Sequence, residues 1–290
     1  MFIAKKKILI VNVDDLGLDI GSGEAFLELQ KYGSVNSGSV MVPCPWFSQI
    51  VELYRTNPHL SIGIHLTLTS EWQQYRWRPL TTNKKSSGLI DDDGFFWENR
   101  KLLRENLNLR SAEIELNAQI RTALNAGIQI THIDCHMGVG IIPELVNIYL
   151  KLGMKYNLPI LLPRNIEKTL KLYKIEESWL PYYKKIISNL EKKHYRLVDN
   201  FQITPCFNSD KAIKGYEELL TSLNQGSTFL SLHANKKGAI KDIDPIKYYV
   251  RVDEYNIFKE YFNHDWMQKH NIITMNLKDF WNLDFNSSRK

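Results

Sequence analysis

Four apolar segments of the sequence end on side chains that can bind metal ions or transfer protons. The segments are "ILIVNVDD", "SIGIH", "ITHIDCH" and "FLSLH", and they contribute Asp14, Asp15, His65, His132, Asp134, His136 and His233. Imidazole and carboxylate ligands without thiolate suit a catalytic divalent ion that keeps positions open for water, zinc or magnesium first, manganese or cobalt as alternatives. Water activated by such an ion, beside a carboxylate that takes its proton, can hydrolyse an amide or an ester.

The distribution of the histidines favours a shared site. A single histidine at a strand end is more often a hydrogen-bonded core residue than a ligand. The other four histidines of the chain fall in predicted loops or helices, namely His59, His194, His264 and His270. Four remote segments that each end on an ionisable side chain therefore indicate one metal or catalytic centre.

Two local patterns refine this prediction. Asp14 and Asp15 are adjacent, and neighbouring side chains on an extended strand point to opposite sides, so we expect one to bind metal and the other to face the substrate water. Cys135 is expected to be a small buried residue. Gly138 and Gly140 cannot be ligands, and they either turn the chain sharply or leave room for substrate.

The elements that must position these residues alternate along the chain. About eight short apolar runs are separated by segments with helical spacing, and continuous apolar runs are typical of strands buried on both faces. This order predicts an α/β fold, an irregular (β/α) barrel with a long insertion after the third strand, with an open doubly wound sheet as the alternative. In both folds the carboxyl ends of the strands meet on one side and form the site. We expect a single domain over residues 1–290.

Composition restricts the class of protein. The net charge of +5 comes from basic residues scattered along the chain, which argues against a nucleic-acid surface. Three distant cysteines without a C-x-x-C pair argue against a disulfide framework and a thiolate zinc site. No segment approaches the roughly 18 apolar residues that cross a bilayer. We expect a soluble cytoplasmic protein that contacts no membrane, with a homodimer left open.

The motifs "IVNVDDLGL", "VNSGSVMV", "GIHLTLTSEW" and "THIDCHMG" occur in this order, with weaker motifs at "LHA" and "RVDEY". With them the chain resembles the YdjC-type carbohydrate deacetylases (ChbG/HpnK-like), a family related to polysaccharide deacetylases. The resemblance covers most of the chain. It implies the irregular barrel and the metal-dependent removal of an acetyl group from an N-acetylated sugar or oligosaccharide.

The resemblance also implies roles for single residues. Asp15, His65 and His136 match metal ligands, Asp14 matches the catalytic base, and His233 matches a general acid. A further four residues would support the ligands or the substrate: His132, Asp134, Arg251 and Asp253. Arg251 and Asp253 have an alternative interpretation as a surface ion pair. Many relatives continue the third motif with more histidines where this chain has Met137 and Gly138, which indicates a difference in the sugar pocket.

Two alternative functions and two interpretations of the insertion stay open. The same ligands could serve a metal-dependent sugar-ester or phosphate-ester hydrolase, or a non-catalytic carbohydrate-binding barrel. The insertion, residues 69–108, carries six aromatic residues, Trp72, Tyr75, Trp77, Phe95, Phe96 and Trp97. These would form either a lid or subsite wall for a sugar, or a small core beneath a long loop.

Overall fold

The computed structural model describes residues 6–283. Within this range the strands form one parallel sheet in the order β4-β3-β2-β1-β6-β5, and β7 pairs with the first residues of β1. The strands are β1 (Lys7–Leu16), β2 (Ser37–Val40), β3 (Ile62–Leu66), β4 (Ile133–Cys135), β5 (Asn200–Ile203), β6 (Gly226–Leu232) and β7 (Ile272–Thr274).

The sheet curls into an irregular barrel, as predicted. The apolar run "LPILLP" (158–163) also predicts a strand, but residues 158–165 form only isolated bridging hydrogen bonds in the gap between β4 and β5. Leu161 donates to the carbonyl of Ile133 at 2.9 Å, and Arg164 donates to the carbonyl of Val198 at 2.8 Å. Because both bonds run from the same segment, the ring of parallel strands continues from β4 to β5.

The helices lie outside the ring and bury their apolar sides against it. They are α1 (Ile20–Lys31), α2 (Phe47–Thr56), α3 (Arg100–Asn106), α4 (Leu109–Asn125), α5 (Val146–Tyr156), α6 (Ile166–Leu172), α7 (Leu180–Lys192), α8 (Ser209–Thr221), α9 (Ile240–Ile243), α10 (Tyr248–Glu260), α11 (His264–Lys269) and α12 (Leu277–Asn282). None of the helices in residues 6–283 is long and apolar enough to cross a membrane.

One predicted helix was wrong in its extent. The spacing of apolar residues from Tyr255 to His270 predicts one helix, whereas the structure has two helices there, α10 and α11. The side chain of Asn263 accepts a hydrogen bond from the backbone of Trp266 and so begins α11. A capping asparagine satisfies an amide that has no partner within the helix, which favours a new start over continuation.

The interior of the barrel changes from apolar to polar along β1. Ile8 and Ile10 pack with Phe229 of β6 and with two residues of α12 in an apolar cluster. Asn12 follows on the same face, because side chains alternate along a strand. Its amide nitrogen lies 3.4 Å from a carboxylate oxygen of Asp134 on β4, so it faces across the ring. The carboxyl ends of the strands therefore surround a polar interior.

The insertion after β3 packs against the barrel. Trp77 and Phe96 are fully buried and belong to the main core cluster, while Trp72, Tyr75 and Trp97 are partly buried against it. The insertion is tied to itself by bridges between Thr69 and Trp97 and between Ile90 and Phe96. The buried rings of the insertion therefore belong to the main core, and its interpretation as a lid or subsite wall stays a prediction.

Candidate active site

The end of β1 brings two carboxylates to the same imidazole. Asp15 has a φ of +61°, and the pairing of β1 with β2 shifts register between Val13 and Leu16. Aspartate tolerates this left-handed conformation better than most residues. Asp15 Oδ1 lies 3.4 Å and Asp14 Oδ2 lies 4.0 Å from Nε2 of His65. Our expectation that the two side chains point to opposite sides was wrong, because the backbone leaves the extended conformation between them.

His65 is held from its far side. Its Nδ1 lies 2.8 Å from Oδ1 of Asp134 and 3.3 Å from the hydroxyl of Ser39, while Nε2 faces Asp15. Burial disfavours the charged ring, but Asp134 and Asp14 outweigh it and raise the pKa of His65 well above its usual range. The contact with Asp134 agrees with its predicted role in supporting a ligand.

His136 also lies between two carboxylates. Its Nδ1 is 3.1 Å from Oδ1 of Asp15, and its Nε2 is 2.9 Å from Oε2 of Glu71. Burial acts to lower the pKa of His136, but Glu71 and Asp15 outweigh it and raise the pKa to about 9. The sequence analysis missed Glu71, although the residue stands in the "GIHLTLTSEW" motif five places after the strand residue Leu66.

The arrangement fits a divalent metal ion. Ligand atoms of Asp15, His65 and His136 all lie within 4.8 Å of one another, and the three residues are buried. Among the described residues near the two imidazoles, acidic groups outnumber basic ones. The basic group is the guanidinium of Arg251, and the acidic groups are Asp14, Asp15, Glu71 and Asp134. The raised pKa values of the two imidazoles mean that this surplus of carboxylates holds protons on the rings, and a dication would replace those protons on binding.

Asp14 has the environment of a proton acceptor. Burial, opposed by His65 but reinforced by Asp134 and Asp15, raises its pKa to about 7. The amide of Asn12 donates to Oδ1 of Asp14 at 2.7 Å and also to the hydroxyl of Ser39 at 2.9 Å. A buried carboxylate fixed by a neutral donor, with its other oxygen towards the site, can take a proton from water at neutral pH.

Arg251 reaches the site from α10. Its guanidinium donates to Oδ2 of Asp15 at 2.9 Å and lies 5.6 Å from the ring centre of Trp72. Burial favours the neutral carboxyl, but Arg251 and His136 outweigh it and hold the pKa of Asp15 well below its usual range. The alternative of a surface ion pair between Arg251 and Asp253 was wrong, because Arg251 pairs with a buried carboxylate.

Asp253 and His132 do not contact the three candidate ligands. The carboxylate of Asp253 accepts a hydrogen bond from the hydroxyl of Ser209 on α8. His132 is fully buried and lies 3.9 Å from Asp134 Oδ2, with Nδ1 3.0 Å from the hydroxyl of Thr131. Nε2 of His132 makes no hydrogen bond to Asp134, so the supporting role of His132 stays a prediction, and Asp253 orients no group of the site directly.

His233 is neutral and held in place. Burial lowers its pKa to about 3. Its Nδ1 lies 2.7 Å from the hydroxyl of Thr204, and its backbone amide donates to Oε2 of Glu254 at 2.6 Å. The other carboxylate oxygen of Glu254 accepts from the hydroxyl of Tyr216. Sequence analysis missed Glu254, which follows Asp253 in the weak "RVDEY" motif but faces the interior.

The two glycines of "HMGVG" leave space that other side chains of the protein occupy. Met137 and Gly138 have φ values of +51° and +67°, so the sharp turn is confirmed. A Cβ on Gly138 would lie 2.6 Å from the ring of Tyr173, and one on Gly140 would lie 3.0 Å from the ring of Tyr149. The space beside both glycines is therefore filled by tyrosine rings.

The Glu254→Gln variant tests the buried carboxylate. Burial raises the pKa of Glu254 to about 7 from the ordinary 4.5. The folded state thus binds the proton more tightly than the unfolded chain, and the protein should lose about 3 kcal/mol of unfolding free energy as pH rises from 4.5 to 7. In the variant the amide oxygen can still accept from the His233 backbone, the amide nitrogen can donate to the Tyr216 hydroxyl oxygen, and the loss of stability with pH is absent.

Urea denaturation at pH 5 and pH 8 measures the effect, because all other titrating groups are common to both proteins. We expect the unfolding free energy of Glu254→Gln to rise relative to the wild type between the two pH values. Glu98→Gln, at an exposed position, is the control and should show no such change. Parallel pH dependence of Glu254→Gln and the wild type would contradict the raised pKa.

Two carbohydrate deacetylases are similar to this chain in sequence. A carbohydrate deacetylase of Thermus thermophilus is 32% identical over 200 residues, which cover 69% of this chain and 69% of the relative. A carbohydrate deacetylase of Thermoanaerobacter pseudethanolicus is 31% identical over 166 residues, 57% of this chain and 64% of the relative.

A solved structure from Enterococcus faecalis V583, described as a candidate cellobiose-phosphate cleavage protein, superposes with a TM-score of 0.75 at 24% identity, over 95% of this chain and 99% of that one. It shares the fold of the chain. The family model for YdjC-like protein matches residues 8–269, a range that contains every candidate site residue discussed above. The chain therefore belongs to the YdjC-like protein family.

Proposed function

We propose that this protein is a metal-dependent hydrolase that removes an acetyl group from an N-acetylated sugar or oligosaccharide. The observation that carries the proposal is the meeting of Asp15, His65 and His136 within 4.8 Å, with the carboxylate of Asp14 beside the same imidazole. Relatives that bear the name carbohydrate deacetylase support the choice of substrate class.

Asp15, His65 and His136 would hold one divalent ion, zinc or magnesium, which supplies Lewis acidity towards the acyl oxygen and lowers the pKa of a water molecule. Arg251 keeps the Asp15 carboxylate ionised, and Asp134 fixes the His65 ring. These contacts hold the ligand side chains ready before any substrate arrives.

The proton transfers are assigned to two further residues. Asp14 takes the proton of the attacking water, since its carboxylate is buried and is fixed by Asn12. His233 is assigned the leaving nitrogen. Its Nδ1 is engaged by Thr204, and its Nε2 makes no hydrogen bond within the described residues, so Nε2 is available to the substrate. As His233 is neutral at rest, the proton that it gives to the leaving amine is the one that Asp14 has taken from the attacking water.

Acetate release tests this function. The purified protein, loaded with Zn²⁺ or Mg²⁺, is incubated with N-acetylglucosamine, its oligomers and acetylated sugar esters, and acetate is measured with a coupled enzyme assay. We expect acetate and a free amine from at least one N-acetyl sugar, and loss of turnover after chelation with recovery on metal addition.

Other products would identify the alternatives. Release of phosphate or of acetate from sugar esters alone would indicate an ester hydrolase. Tight binding of an N-acetyl sugar without turnover by the metal-loaded protein would indicate a non-catalytic carbohydrate-binding barrel. Either result would contradict the amide hydrolysis proposed here.

A further inference from the structure

The first residues of the insertion contact one candidate ligand directly and reach a second one through Arg251. Glu71 touches His136, and Trp72 lies against Arg251, which in turn donates to Asp15. The insertion therefore reaches the residues at the centre of the barrel. This placement raises the question of what Glu71 does for His136.

The two imidazoles are oriented in the same manner. Nε2 of His65 and Nδ1 of His136 face the same oxygen, Asp15 Oδ1, at 3.4 Å and 3.1 Å. The opposite nitrogen of each ring contacts a second carboxylate, Asp134 for His65 at 2.8 Å and Glu71 for His136 at 2.9 Å. Each ring thus has one nitrogen for the site and one for a supporting acid.

We infer that Glu71 is a positioning residue that fixes His136 for metal binding through Nδ1, in the way that Asp134 fixes His65 through its opposite nitrogen. Because Oε2 of Glu71 lies 2.9 Å from Nε2 of His136, a hydrogen on Nε2 is donated to this carboxylate oxygen and Nδ1 keeps its lone pair for the ion. Carboxylates that hold the far nitrogen of a ligating histidine set its tautomer and ring orientation. The inference rests on the metal site of the proposed function and adds a residue to it.

The insertion holds Glu71 in place. Trp77 packs edge-on against the ring of His136 with 5.9 Å between ring centres. Its indole nitrogen donates to the carbonyl of Thr69 at 2.9 Å, and its backbone amide donates to the hydroxyl of Ser70 at 3.1 Å. Since Thr69 and Ser70 precede Glu71 directly, the same tryptophan supports the imidazole and the backbone that presents the carboxylate.

Metal titration by calorimetry tests this role independently of catalysis. The wild type, Glu71→Ala, Glu71→Gln and the exposed control Glu98→Ala are each titrated with Zn²⁺. We expect Glu71→Ala to bind zinc about 10- to 100-fold more weakly, the usual cost of losing an outer-shell partner. Glu71→Gln should lose less, because its amide oxygen still accepts from Nε2, and Glu98→Ala should match the wild type.

Two further measurements keep the inference falsifiable if Glu71→Ala does not fold. Long-range ¹⁵N NMR on the zinc-loaded wild type should show His136 with hydrogen on Nε2, and the cobalt absorption spectrum of Glu71→Gln should match that of the wild type. Hydrogen on Nδ1 of His136, a changed cobalt spectrum that marks Glu71 as a direct ligand, or unchanged zinc affinity in Glu71→Ala would overturn it.

The outcomes separate this inference from the proposed function. A wild type that binds zinc but releases no acetate would contradict the deacetylase proposal and leave the role of Glu71 standing. A fully active wild type whose Glu71→Ala variant binds zinc with unchanged affinity would contradict only the role of Glu71. A wild type that binds no divalent ion would overturn both.

Discussion

Replacing Asp14 with asparagine is expected to reduce turnover by about 10²- to 10⁴-fold, the range that a positioned general base contributes. Asparagine keeps the shape of the side chain and an oxygen that accepts from Asn12, but it cannot take a proton. Because Asp15, His65 and His136 are untouched, the variant should still bind one metal ion. Steady-state acetate release gives turnover, and calorimetry gives metal affinity.

The control for this variant is Asp253→Asn, the same chemical change at a carboxylate that contacts Ser209 outside the site. It should keep both turnover and metal affinity. If Asp14→Asn retained wild-type turnover, another group would have to take the proton. If it lost the metal instead, Asp14 would be a ligand, in agreement with the second group of converging atoms formed by Asp14, His65 and Asp134.

Replacing Asp15 with asparagine is expected to remove metal binding. Oδ1 of Asp15 faces both candidate imidazoles, and Oδ2 accepts from Arg251. The residue therefore both neutralises a guanidinium and would ligate the ion. Loss of its charge leaves a neutral ligand beside an unpaired buried cation. We expect the affinity for zinc to fall by more than the roughly 10- to 100-fold that loss of an outer-shell partner costs.

Calorimetry and metal analysis after dialysis measure this effect, and thermal unfolding reports on the fold. Removing one partner of a fully buried ion pair can cost about 3–5 kcal/mol, and asparagine limits the damage because it still accepts from Arg251. Asp253→Asn again controls for the chemical change. An Asp15→Asn variant that retains one ion with wild-type affinity would show that the metal is held elsewhere.

The convergence of the candidate ligands was predictable because the fold is a parallel barrel. Apolar runs that end on Asp15, His65 and His136 indicated strands whose carboxyl ends meet on one side, and these side chains lie together. The partners of those residues were less visible. Glu71 lies in an irregular loop and Glu254 lies on α10, and neither position has a strand pattern that marks its side chain as facing the site.

Asp14 and Asp15 illustrate the limit of strand periodicity. Alternation predicted opposite directions, but the positive φ of Asp15 turns both carboxylates towards His65. Periodicity describes a regular strand, and a register shift at its end breaks the rule where the chemistry is located. The turn at Met137 and Gly138 is a second such place, and the ring that fills it, Tyr173, comes from a helix end 35 residues later.

The amino-acid sequence by itself predicted the parallel strands, because burial of apolar strands leaves a local pattern that can be read along the chain. Its short motifs indicated the family and the three buried residues that converge as candidate ligands. Only the tertiary structure decided which carboxylate supports each imidazole, that Arg251 pairs with Asp15 and that the insertion reaches His136. Such contacts join residues that are remote in sequence, and their energy depends on distances that no local pattern encodes.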